Sequence, residues 1–574
     1  MNSALIALTA FLAYLLAYRF YGAFLSRRIF GVDPDRRPPA HLYRDGVDFV
    51  PTGRHILFGH HFTSIAGAAP IVGPAIAVIW GWLPALVWVI AGSIFMGAVH
   101  DLGALLVSAR HRGRSIGEVS RTLIGPRARG LFLLLIFFAL LIVIAVFCLV
   151  IAVLFKSYPS TVLPVLVSIP VAVALGRRIK GRRGGALAPS LVAVAILYAS
   201  VAAGLYLPVT MPPLIMGSDI LTWVVVLLVY AYVASTLPVW VLLQPRDYIN
   251  SHQLFIGLAL LYLGVFVVRP DMVAPAVNPA PTGAPLLFPF LFITVACGAI
   301  SGFHSLVCSG TTVKQLDSEA DIQFIGYGSM LGEGLLAVMA ILACTAGFAS
   351  TEAWSAHYAS WSAAQGLGAK VGAFVEGGAR FLAGVGIGRE FATALVAVLV
   401  ISFAATTLDS ATRIQRYVVS EIAEDYGFDA LSGRHSATMI AVVSAFMLSM
   451  INGGKGGLIL WPLFGSVNQL LAVLSLLTVT MYLVRERRPA IYTIVPMVFM
   501  MCVTAWAMAV NLRDFVSNGR WLLVTLGVGI FLLEVWLVAE AAAALRTFRS
   551  EPVLLSFLEK KKVSKEKTDD FAGL

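Results

Sequence analysis

The chain has 574 residues, 59% of them hydrophobic and 12% charged, with a mean hydropathy of +0.87. Soluble domains carry roughly 25% charged residues, so so few charges exclude a water-facing surface of this size, and the chain reads as a polytopic membrane protein. The formal charge of +11 invites a nucleic-acid reading, but basic loops gathered on one side of a membrane explain it equally and can be tested by position.

The first apolar run, "MNSALIALTAFLAYLLAYRF", has no basic start and no small-residue cleavage site. It is read as a retained transmembrane helix, not a signal peptide. A span needs about 20 apolar residues. That rule predicts about fifteen spans, near 3–21, 63–80, 84–109, 130–155, 160–176, 187–207, 220–243, 253–268, 286–309, 325–348, 385–408, 437–452, 458–484, 490–511 and 521–545. The loops that follow odd-numbered spans, with the C-terminal tail, hold 32 Lys and Arg; those that follow even-numbered spans hold 8. This bias places the N-terminus outside and the C-terminus in the cytoplasm. It also accounts for the basic charge without nucleic acid. The tail, with "EKKKVSKEKTDD", is expected to be a disordered cytoplasmic end facing anionic lipid.

The expected organisation is a first transmembrane helix and cytoplasmic loop over 1–62, a first helical repeat of a transporter core over 63–207, and a second repeat over 208–436 with an outer loop at 350–384. Additional helices follow over 437–545, then a cytoplasmic tail over 546–574. The loop 352–384 spaces its aromatics and alanines like a helix. It is expected either to lie on the outer face as a lid or to re-enter the membrane.

Three spans are interrupted. "GHHFTSIAGAAPIVGP", 59–74, holds Gly67, Pro70, Gly73 and Pro74. "ASTLPVWVLLQPRDY", 234–248, places Pro238 inside a span and Pro245 at its inner end. "CGAISGFHSLVCSGTT", 297–312, spreads Gly298, Gly302 and Gly310 among serines and threonines. Proline removes a helical donor, and irregular backbone survives at membrane depth only where it lines a protein cavity. Close helix packing at glycine is the plain alternative. The clusters that also carry Ser, Thr and His favour a cavity, with Ser301 to Thr312 lining it and not a regular helix. Candidate substrate contacts are Ser64, Gly67, Pro70, Pro238, Gly302, His304, Ser305 and Ser309. Opposed broken spans are what an inverted repeat of five plus five helices requires. Spans 2–6 and 7–11 are its simplest partition, with span 7 or span 9 as the mate of span 2.

Ionisable side chains inside a span cost about 2.5–3.5 kcal/mol on insertion scales, so each is informative. Glu333, Asp101, His304 and Asp409 qualify. Glu333 and Asp101 are the candidate proton carriers; His304 can be a structural histidine, and Asp409 can cap a helix or pair with Arg413. His55, His60 and His61 lack a metal-ligand spacing, so no metal site is expected. The five cysteines fall in apolar segments without a CxxC pair and read as packing thiols. No phosphate-binding loop, nucleophile elbow or dinucleotide fingerprint is present. An ATP-driven pump and an enzyme are therefore not indicated, and no cofactor is expected.

Four strings resemble the carbon starvation protein A (CstA) family: "DGVDFVPTGRHILFGHHFTSIAGAAPIVGP" (45–74), "GAVHDLGALLVSARHRGRSIGE", "LPVWVLLQPRDYI" (237–249) and "CGAISGFHSLVCSGTT". They cover most of 45–350. The resemblance implies an inner-membrane uptake carrier of the LeuT-type fold, for peptides or for pyruvate with protons, used in carbon starvation. "FAATTLDSATR" is similar to the segment that holds sodium in sodium–solute symporters, which makes Thr406, Thr407 and Ser410 ion-coupling candidates with sodium as the alternative ion. The expected partners are the bilayer and a small carboxylate-bearing substrate. The rivals are a sodium-coupled symporter, a starvation sensor without transport, and a channel. A sensor needs a soluble output domain, and a channel needs a filter-like ring; neither is seen in the sequence.

Overall fold

The computed structural model describes residues 1–179, 187–451 and 456–550. Its described residues are almost wholly helical. In chain order the principal helices are α1 (Ser3–Leu16), α2 (Arg54–Ile65), α3 (Ala69–Ala77), α4 (Trp82–Gly92), α5 (Ala98–Arg110), α6 (Ile116–Leu123), α7 (Pro126–Ser157), α8 (Val162–Ile179), α9 (Leu187–Tyr206) and α10 (Asp219–Thr236). They continue as α11 (Leu243–Val268), α12 (Leu287–Thr294), α13 (Gly302–Val307), α14 (Gly328–Ala346), α15 (Leu367–Ala383), α16 (Arg389–Asp425), α17 (Arg434–Met450), α18 (Gly456–Arg485), α19 (Ile491–Ser517) and α20 (Trp521–Ser550).

Twelve helices among the described residues are long and apolar enough to cross a membrane, thirteen if the bent pair Arg54–Ile65 and Ala69–Trp80 counts as one span. Two further segments of the expected fifteen are helical, one of them split and one short. The segment at 286–309 is split into α12 and α13, of 8 and 6 residues. The segment at 437–452 gives α17, of only 17 residues. The expected cytoplasmic tail lies almost wholly outside the described residues. Four cysteines are buried as expected, whereas Cys502 is exposed.

The helices sort into a core and a rim. An apolar 18-residue stretch within 389–425 is 89% buried and one within 521–540 only 18%, so α16 is central and α20 peripheral. One face of α1, with Leu5, Leu8, Leu12 and Leu15, is exposed, which suits contact with lipid.

Two breaks organise the centre. At the first, Ala66 (ψ 52) caps the end of α2 and α3 begins three residues later with Pro70 in its first turn, where a proline needs no donor. The last four carbonyls of α2 are all satisfied. Phe62 O accepts from Ala66 N (2.8 Å) and Ile65 O from Gly67 N (2.8 Å). Thr63 O accepts from Thr406 Oγ1 (2.8 Å) and Ser64 O from Thr407 Oγ1 (3.2 Å), both on α16. Carbonyls that a helix end leaves free must find partners, so α16 stabilises the break.

The second break runs from Val295 (φ −99, ψ 67) to Ser301 (φ −136, ψ 130). It lies upstream of the expected one. Residues 302–312 are helical, first as α13 and then as a π-helical turn, Cys308–Thr312. Gly302 and the serines there serve packing. A Cβ at Gly302 would collide with the Asn468 carbonyl and Leu471 of α18, and Ser305 accepts from Ser475 of the same helix at 2.6 Å. At the break itself Gly298 has φ +92, and a Cβ there would stand 2.7 Å from that of Ala337. Gly298→Ala is expected to cost both a left-handed backbone and an overlap, about 2–4 kcal/mol together. Thermal unfolding of the detergent-solubilised protein checks this.

The two broken strands of chain run in opposite directions. Val50 N and Thr52 N, just before α2, bond Lys314 O and Gln315 O (3.1 and 3.0 Å). At the far end Trp80 Nε1 donates to Pro285 O (3.1 Å). Pro238 is not part of this arrangement. It sits in the link between α10 and α11, because α10 stops at Thr236 and α11 starts at Leu243. The 352–384 stretch forms α15 and two short helices, with one face of α15 buried. Trp361 packs against Trp80, the rings tilted by 43° (5.3 Å between centroids), and so covers the end of the first broken span.

Candidate functional site

The paired breaks leave a cavity of about 730 Å³. Ala69, Val72 and Gly73 of α3 form one wall; Thr294, Ala296 and Cys297 of the second break and Asn468 of α18 form the floor. Its mouth lies among Gly283, Trp361 and Arg520, the end whose loops are poor in Lys and Arg. Gly73 is needed here: a Cβ on it would stand 2.6 Å from Thr294 O.

Beneath the floor, four ionisable groups from three helices form a chain, and every one of them is fully buried. His304 Nδ1 is 3.1 Å from Asp101 Oδ2. Its Nε2 is 3.2 Å from Glu333 Oε2, without the alignment of a hydrogen bond. His100 Nδ1 bonds Asp101 Oδ1 at 2.8 Å. Gly298 N, freed by the break, donates to Glu333 Oε1 at 3.1 Å. Two carboxylates thus flank one imidazole. With both ionised and His304 protonated the trio carries a net negative charge, and one further proton neutralises it. Buried charge is costly unless balanced, so this trio can take up and give up a proton.

Cys297, His304 and Glu333 also bring one ligand atom each within 4.8 Å of one another, so a cation could be held there. The donor set is incomplete for a closed zinc site, which takes four ligands. His60 and His61 point to different partners, as adjacent residues on a helix must. His60 bonds Asp247 Oδ2 (2.6 Å) and Thr311 Oγ1 (3.2 Å); His61 bonds Thr312 Oγ1 (2.8 Å).

The other candidates are placed as follows. Ser64 Oγ and Ser410 Oγ are 2.8 Å apart, beside the Thr406 and Thr407 bonds to α2. Gly67 faces Thr407, where a Cβ would overlap its hydroxyl. Pro70 packs near Gly298. Ser309 lies away from the cavity floor and accepts from Ile116 N of α6 at 3.0 Å. Ser305 and Gly302 face α18, and Pro238 lies at the basic end. Asp409 does not pair with Arg413. It accepts from Arg246 Nη1 and from the Tyr230 hydroxyl, while Arg413 pairs with Asp48.

Several contributors carried too little local signal to be singled out. Asn468 Oδ1 accepts from Phe303 N (3.0 Å) and so caps α13 from another helix. Arg246 and Asp247 lie in "QPRDY", where two adjacent charges against an apolar span are the signal that finds them. Asp48 had none.

Asp48 closes the opposite, basic end. Its carboxylate accepts from Arg413 Nη1 (2.7 Å) and Arg416 Nη2 (2.9 Å) of α16. Arg413 in turn donates to Ala234 O and Leu237 O (2.9 and 2.6 Å). Burial alone would raise the Asp48 carboxyl, but Arg416, Arg413 and Lys314 outweigh it and hold it at about 2, below its ordinary 3.8. A lowered pKa means that this clasp contributes fully above about pH 4 and is lost only as pH falls toward 2. Asp48→Asn is expected to cost about 2–4 kcal/mol. The loss should be flat from pH 5 to 8 and shrink below pH 4, as thermal unfolding at several pH values would show.

A family model described as carbon starvation protein CstA matches residues 2–507. The chain belongs to the CstA family. The peptide transporter CstA of Campylobacter jejuni is 34% identical over 557 residues, which cover 86% of this chain and 78% of the relative. The pyruvate/proton symporter BtsT of Escherichia coli is 33% identical over 577 residues, 87% and 80% of the two chains. Both relatives are named as transporters. A solved structure, MhsT in complex with L-phenylalanine, overlaps this CstA-family chain with a TM-score of 0.48 at 11% identity, over 86% of this chain and 99% of that one.

Proposed function

We propose that this chain is a proton-coupled uptake symporter for small carboxylate-bearing nutrients, such as peptides or pyruvate, used under carbon starvation. The observation that carries the reading is the buried chain Glu333–His304–Asp101–His100 directly beneath a cavity between two opposed, broken spans. A proton entering from the cavity neutralises the trio; its release on the other side resets it. Cavity and proton site share the break at 295–301, so substrate and proton act on the same backbone. The opposed breaks support a LeuT-like inverted repeat with extra helices, and the broken span at 287–315 is then the mate of that at 54–80. Loop charges support an inner-membrane orientation with the N-terminus outside and the C-terminus cytoplasmic. The cavity then opens outward, and the Asp48 clasp seals the inside.

Sodium is the second reading. Ser64, Thr406, Thr407 and Ser410 gather oxygens at the first break, as a sodium site would need. In this arrangement the two threonine hydroxyls donate to carbonyls, which favours the proton. Proteoliposomes decide between them. Uptake of pyruvate or dialanine driven by an inward pH gradient, and indifferent to sodium, is expected. Uptake that needs sodium and ignores pH sinks the proton assignment, and a C-terminal reporter fusion that reads external sinks the orientation.

A further inference from the structure

The wall of the cavity carries one buried charge that the proton chain does not use. Lys370, on α15, lines the cavity and is only 8% exposed. Among the described residues its ammonium has no ion-pair or hydrogen-bond partner. The other charged groups on the wall, Asp514 and Arg520, are exposed near the mouth. An ammonium on a largely buried side chain, without an ion pair, is costly. Burial alone pulls Lys370 down to about 8, so it remains largely charged at neutral pH.

The usual receptor for a carboxylate in a broken-helix carrier is the free N-terminus of a half-helix. That of α13 is engaged: Phe303 N bonds Asn468 Oδ1 (3.0 Å) and His304 N bonds Ser301 O (3.2 Å). A carboxylate entering the cavity therefore needs another cation, and the one buried in its wall is available.

We propose that Lys370 is the receptor for the substrate's carboxylate in this cavity. The inference rests on the transport reading above. An ammonium on a flexible stem accepts carboxylates of different size as a point charge, which suits both a short 2-oxo acid and the C-terminus of a peptide. It also gives the outer helices 351–383 a direct part in recognition.

The test uses the full chain in proteoliposomes with pyruvate and dialanine under a pH gradient. Lys370→Met removes the charge and keeps the stem, and because no ion pair is broken the variant should insert and fold. Its KM for both substrates is expected to rise about tenfold or more, with kcat within about twofold; Lys370→Arg should stay within about threefold of wild type. Dialanine amide, which lacks the carboxylate, should compete equally weakly against wild type and Lys370→Met. Unchanged KM in Lys370→Met, or an amide that competes better against wild type than against the variant, overturns the assignment but leaves the transport reading intact. If Lys370→Met fails to insert, Lys370→Gln is read in the same way. Wild type that takes up neither substrate overturns the transport reading and this assignment with it.

Discussion

Glu333→Gln is expected to abolish uptake driven by a pH gradient, down to the protein-free background, while leaving exchange of labelled for unlabelled substrate measurable. The amide keeps the shape of the side chain and can still accept from Gly298 N, so the break at 295–301 stays supported. It cannot ionise, so His304 faces one carboxylate instead of two. The trio then loses its net negative charge, and the neutral Asp101–His304 pair that remains has no surplus charge to draw a further proton. Exchange needs only the substrate site and the alternation of the bundle, and both remain. Normal gradient-driven uptake in this variant would move the assignment to Asp101. Loss of exchange as well would mean that Glu333 holds substrate.

Asp409→Asn is expected to give one of the largest stability losses of any single substitution, about 3–5 kcal/mol. Arg246 and Asp409 are 2% and 1% exposed, and Tyr230 donates to the same carboxylate. Removing the negative charge leaves a guanidinium deep in the bundle without its ion-pair partner. The double variant Arg246→Met with Asp409→Leu should recover part of the loss, because neither charge is then stranded. Recovery stays incomplete because the Tyr230 hydroxyl loses its acceptor, at about 1–3 kcal/mol. Thermal unfolding in detergent measures both. A double variant as unstable as the sum of the two singles would show that the pair does not interact energetically.

How much of this was legible in the sequence follows from what is local. Spans and their breaks are local properties of apolar runs, glycine and proline, and the break at Gly67 to Pro70 was found where it lies. The second lies some residues before the expected 301–312, because Gly302, Gly310 and the serines that decorate 301–312 look the same whether they line a cavity or meet a neighbour. What α18 presses against them, Asn468, Leu471 and Ser475, is about 170 residues away. Glu333, Asp101 and His304 stood out because charge in an apolar run is rare, yet their meeting joins residues 203 apart. The true partner of Asp409 is hidden for the same reason. Arg413 is one helical turn away and was the local guess, whereas burial selects Arg246 on another helix. Pro238 marked the end of a helix, not a break within one.

The Asp48 clasp has a consequence in terms of populations. Opening the basic end means parting Asp48 from Arg413 and Arg416 and the segment 50–52 from 314–315. If that costs about 3 kcal/mol, the open form makes up about 1% of molecules or less. A blocker that must enter by that end would then bind roughly 100-fold more weakly than its own contacts warrant. That handicap would be the same at pH 5 and at pH 8, because Asp48 stays ionised throughout. Compounds screened on the resting protein would therefore be found almost entirely at the Lys370 side, and an Asp48→Asn protein would be the better bait for the rest.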